Sequence, residues 1–188
     1  MLTSSHLYWT WRLLPGTHTR RWWTLGALAP DAPAVAMGTA LLARGGSRRH
    51  LVDRVYAGPR RRGIHRAGHS LLITSALAAL GSRPRAFALG VLGHQLVDYG
   101  THVDDAWPPL WPATARRWRA PVSYWQSEHH ARGFAAIESA SLLVALATDR
   151  SIARRAVGIA ALALALGPLL RSRNYASLIG GSIDWTRY

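Results

Sequence analysis

Five side chains able to bind a metal or exchange a proton recur at four-residue intervals: His65 and His69, then His94, Asp98 and His102. Residues four apart share a helix face, so each set forms one stripe if its segment is helical. Imidazole nitrogen and carboxylate oxygen are donors that suit zinc, iron or manganese. The alternative chemistry is a polar seam, in which His94 and Asp98 satisfy only each other between packed helices, because buried ionisable groups need partners.

The two sets lie in apolar segments, 64–81 and 86–103, joined by a turn at Gly81-Ser82-Arg83-Pro84. In an antiparallel pair with that turn, His69 falls level with a point between His94 and Asp98. His65 falls between Asp98 and His102. Two four-residue repeats on facing helices make a chelating set for a divalent metal, zinc by preference. Glu138, in "SEHHARGFAAIESA", is a further candidate ligand or general base, or a partner for Arg132. His102 either joins the stripe or ends the helix facing water. His129 and His130 line a loop or bind a phosphate. Asp104 and Asp105 read as solvated loop charges or caps, and His18 and His50 as ordinary surface residues.

The elements that must position these groups are helical. No strand alternation is visible, and 188 residues with 49% hydrophobic content fit a single all-α domain over 1–188. Apolar segments at about 22–42, 64–81, 86–103, 133–148 and 154–171 approach the ~20 residues that span a bilayer. The expectation is a polytopic helical membrane bundle of about five helices; the alternative is a soluble all-α bundle, which the mean hydropathy of +0.01 keeps open. Nine tryptophans sit mostly at segment edges, as in an interfacial belt. Prolines around Asp31 in "LAPDAPA" break segment 22–42, so Asp31 is expected at a break.

There is no cysteine, which excludes disulfides and thiolate chemistry. No secretory signal peptide is expected at the N-terminus. All basic residues are arginine, and the net charge is +14. The basic stretch "SRRHLVDRVYAGPRRRGIHR" carries little aromatic interleaving, so no nucleic-acid partner is expected. Arginine is denser in 43–63, 104–132 and the tail than in the other connections, which favours membrane lipids as partners and a multi-pass orientation in the inner membrane.

The order of "SSH", "LGALAPD", "HRAGHSLL", "LGHQLVDYGTH" and "PPLWP" over residues 4–112 resembles the membrane-bound metal-dependent hydrolases, an inner-membrane group described as related to zinc-dependent phospholipase C. That resemblance implies His6, Asp31, His65, His69, His94 and Asp98 as metal ligands and Thr101 as a substrate contact. It implies hydrolysis of a phosphoester or lipid substrate; in such a reaction the expected proton acceptor for the water is Asp31 or Glu138. Arg66, with Arg60, Arg61 and Arg62, would attract an anionic group, and His102 would lie beside it. Two departures stand out: the second aspartate of the family's Pro-Asp-x-Asp turn is missing, and Gly68 replaces the threonine before the motif histidine. If 22–42 crossed a membrane fully, His6 would be on the far side from the other ligands; a re-entrant or tilted element would reunite them.

Overall fold

A computed structural model describes residues 3–14, 19–45, 59–124 and 126–170. His18, His50, Trp125, Trp185 and the side chains of Arg60 and Arg61 lie outside the described residues. Every regular element among them is helical: α1 (Thr3–Leu13), α2 (Arg20–Leu28), α3 (Ala32–Ala43), α4 (Pro59–Gly68), α5 (Leu71–Ala78), α6 (Ser82–Tyr99), a 3-10 turn (Ser127–His129), α7 (Ala131–Thr148) and α8 (Ile152–Leu170).

Two of the expected continuous segments are broken. Segment 22–42 is α2 and α3, bent by 62° at the Ala29-Pro30-Asp31 corner. Pro30 and Pro33 explain the break, since proline removes a helix donor and restrains its predecessor. Segment 64–81 is α4 and α5, because Ser70 caps α5 by accepting a hydrogen bond from Ile73 N at 3.3 Å. A serine before an apolar run is a helix-start signal. These breaks shorten the helices. Among the described residues, α7 alone could cross a membrane by length and composition, and the bent α2–α3 pair becomes a second candidate if it counts as one span.

The centre of the fold is the α2–α6 crossing, and it is a backbone contact. A Cβ on Gly26 would lie 2.0 Å from Phe87 O, and one on Gly90 would lie 2.1 Å from Trp23 O. Only glycine permits that approach, as at the small-residue crossings of helix pairs. It brings Ala27 O within 2.8 Å of His94 Nδ1, one turn beyond Gly90. α5 packs antiparallel on α6 beyond the Gly81 turn.

A second core joins α1, α7 and α8 around Tyr8, Leu142, Ala145, Ala161 and Ala165. α1 therefore touches both halves, which is how His6 on α1 comes to face α6. The Pro- and Trp-rich stretch after α6 folds back over that helix's end, with Ala120 N donating to His102 O and Leu71 N to Pro109 O, both at 2.8 Å.

Candidate metal centre

Asp98 is the hub. It is buried on α6, and imidazole Nε2 atoms approach it from four places. His94 Nε2 lies 2.9 Å and His69 Nε2 3.5 Å from Asp98 Oδ2. His6 Nε2 lies 3.2 Å and His102 Nε2 3.5 Å from Oδ1. Asp31 joins from the α2–α3 corner, its Oδ1 3.8 Å from His94 Nε2. The rings of His6 and His94 stack with centroids 4.0 Å apart.

The outer nitrogens of three of these rings are held from behind. His94 Nδ1 bonds Ala27 O and His69 Nδ1 bonds His65 O, each at 2.8 Å. His102 Nδ1 bonds Asp105 Oδ2 at 2.6 Å. A carbonyl or carboxylate behind Nδ1 calls for a proton on Nδ1, so a neutral ring then presents a lone pair at Nε2. Three such lone pairs aimed at carboxylate oxygens repel unless a proton or a cation sits between them. An anchored Nδ1 with an inward Nε2 is also how metal-bound histidines are held.

One ligand atom from each of Asp31, His69, His94 and Asp98 lies within 4.8 Å of the other three, so this buried group could hold a metal ion. Tetrahedral zinc with bonds of ~2.0–2.1 Å needs donor atoms about 3.3 Å apart. The observed 2.9, 3.5 and 3.8 Å bracket that spacing. Two imidazoles and two carboxylates, with no thiolate, also suit iron or manganese.

The remaining candidates are placed differently. His65 is buried and stacks on Trp107, centroids 5.7 Å apart, beside His69 on the same ring at 5.4 Å. It lies outside the group of four. Thr101 is buried, and its hydroxyl donates to Val97 O at 3.0 Å. Glu138 is buried on α7, and neither of its oxygens has a hydrogen-bond partner among the described residues. Arg66 is half-buried on α4, within electrostatic reach of Arg117. Burial, and then the Arg66 and Arg119 guanidiniums, pull Arg117 below its ordinary pKa.

Four contributors lie beyond what the sequence suggests. Asp105, expected as a loop charge or cap, is buried and fixes His102, which is itself buried instead of facing water. Of the imidazoles around Asp98, His102 is the one with a carboxylate at each ring nitrogen, Asp105 at Nδ1 and Asp98 at Nε2. Trp107, read as part of an interfacial belt, packs on His65 and His69. Gln95 and Tyr99 clip the corner that carries His69: the Gln95 amide donates to Gly68 O at 3.0 Å, and the Tyr99 hydroxyl donates to His69 O. A local signal existed for Asp105, three residues after His102, and for Gln95 and Tyr99, four apart on the α6 face that meets α4 and α5.

No family model, curated protein or solved structure matches this chain.

Proposed function

We propose that this chain is a membrane-embedded metal-dependent hydrolase of the inner membrane, using zinc and acting on a phosphoester, lipid phosphoesters included. One observation carries the reading: three imidazoles anchored at Nδ1 turn Nε2 onto a single buried carboxylate. The motif order over residues 4–112 supports the same class.

A divalent ion at such a site lowers the pKa of its water toward ~7 and polarises a substrate oxygen. The chain's own groups do the rest. Asp31 is the most exposed of the four, its side chain 27% exposed, so His69, His94 and Asp98 would hold the ion while a water takes the fourth position and Asp31 accepts its proton. It is preferred over Glu138, which is not among the four converging residues. His102, steadied by Asp105, holds a proton at Nε2 for a leaving oxygen. Arg66 and Arg117 form a basic pair that favours an anionic substrate.

The membrane assignment rests on apolar side chains turned outward. On α7, Ile137, Leu143 and Val144 are all exposed, as are Leu96 on α6 and Ile159 and Leu164 on α8. Apolar surface of this extent is costly in water and is a mark of a membrane or protein contact.

The test combines membrane extraction, metal analysis and turnover. Resistance to carbonate extraction, zinc retained through purification, and chelator-sensitive hydrolysis of bis-p-nitrophenyl phosphate are expected, with Asp98→Asn losing both metal and turnover while staying helical. Failure of the folded wild-type protein to retain any divalent metal, or unchanged turnover in Asp98→Asn, overturns the proposal and leaves a packing seam.

A further inference from the structure

An apolar cleft runs beside the metal centre, between α1, α2 and α6, with a volume of about 230 Å³. That exceeds the ~150 Å³ of an apolar cavity able to bind benzene. His6, Trp9 and Leu13 contribute one stripe of α1, Trp23 contributes from α2, and Leu89 and Val97 contribute from α6. His6 is the inner end of that stripe, and its Nε2 is the atom 3.2 Å from Asp98. Leu13 and Leu89 are exposed, so the same lining reaches the outer apolar surface.

We propose that this cleft holds the alkyl chain of the substrate, an amphiphilic lipid phosphate whose polar group sits at Asp98 and its histidines. This rests on the hydrolase reading and specifies its substrate class. The lining selects such a ligand: its wall is almost wholly aliphatic and indole, and the one ionisable residue in it belongs to the centre where the phosphate would lie. Apolar walls reward each methylene removed from water and give nothing to a headgroup alone.

Gly93 makes the idea testable. It lines the cleft, and a Cβ built there meets nothing within 4 Å. A side chain at 93 therefore starts from open space at the cleft wall, and replacing a helical glycine favours the helix. Gly90, in the same wall, offers no such freedom because its Cβ would strike Trp23 O.

The experiment titrates zinc-loaded protein in nanodiscs with inorganic phosphate and with ethyl, butyl, hexyl and octyl phosphates, by calorimetry. Affinity should rise with chain length, up to about four-fold per methylene. Gly93→Leu should abolish that rise, and Gly93→Ala should reduce it, with bound zinc and phosphate affinity preserved in both. An equal chain-length dependence in wild type and Gly93→Leu overturns the cleft, as does no chain-length dependence in the wild type. A repeat on metal-stripped protein separates the two proposals. If no metal binds at all yet Gly93→Leu still removes alkyl binding, the cleft stands and the hydrolase reading falls. If metal and turnover are present but chain length has no effect, the cleft alone falls.

Discussion

Two buried aspartates in this molecule are surrounded by cationic side chains, and their surroundings differ in kind. Asp149, between α7 and α8, is met by guanidiniums. Arg154 contacts both its oxygens at 2.8–3.1 Å, and Arg12 of α1 lies 3.3 Å away. Ser151 N adds a bond at 2.9 Å. Guanidinium is always charged and matches a carboxylate in a fork, so this clasp is complete as it stands. Asp98 is met by imidazoles, three of which use their other nitrogen elsewhere. Their inner nitrogens attract the carboxylate only with a proton or an ion in place. A carboxylate surrounded by permanent cations ties helices together; one surrounded by conditional donors is a place for something to bind.

The largest effect expected from this contrast is on bound metal. His94→Ala and Asp98→Asn should each reduce metal to background, measured by mass spectrometry on folded protein, whereas Arg154→Ala should lower the melting temperature and leave metal per folded chain unchanged. Metal retained in His94→Ala, or lost in Arg154→Ala, would erase the distinction between the two sites.

Acid separates them next. Protons compete with a metal for imidazole nitrogen, so affinity should fall as pH drops through ~6.5 and below. The hydrogen bonds from Arg154 hold the Asp149 carboxyl well below the usual carboxylate range. A depressed folded pKa contributes stability that is fully present above the unfolded value near ~3.9 and is lost as pH falls through the folded one. Metal release should therefore precede loss of the clasp. A pH series of metal content against thermal melting checks the order, and Asp149→Asn should flatten only the limb below about pH 4.

Asp105 is the intermediate case, since it steadies His102 and lies outside the converging group. His102 is the proton donor of the proposed hydrolysis and not one of the four converging residues. Asp105→Asn should therefore lower turnover by about 10-fold or more, while metal affinity, by competition with a chromophoric chelator, stays near that of the wild type. An unchanged turnover would remove His102 from the site.

How much of this was legible depends on whether the signal is local. The His94/Asp98 stripe follows from helix periodicity alone, and its level with His69 follows from one turn. The proline break that carries Asp31 is equally local. His6 is different: no spacing links α1 to α6, and only the motif order suggested it. Its approach depends on a nine-residue α2, the 62° corner and two glycines that let backbones touch. Asp105 reads as a loop charge because "VDD" after a helix end has the composition of a solvated loop; burial there comes from residues 109–124 folding back, a long-range event. The five apolar segments were drawn by composition, which sees past a capping serine at 70 and so joined two short helices into one.

The smallest expected effect probes geometry alone. Gly68 stands where the resembling family has threonine, and a Cβ there would lie 3.1 Å from Pro30 Cα, the residue before Asp31. Gly63, on the same helix, has open space around its Cβ position. Both substitutions to alanine gain helix propensity, up to about 1 kcal/mol. Gly63→Ala should therefore raise the melting temperature with metal affinity unchanged. Gly68→Ala should give back part of that gain and weaken metal binding a few-fold by pressing the Asp31 corner away from His94. Equal behaviour of the two variants would mean that the corner yields freely, and that Asp31 owes its place to the ion it helps to hold more than to the packing behind it.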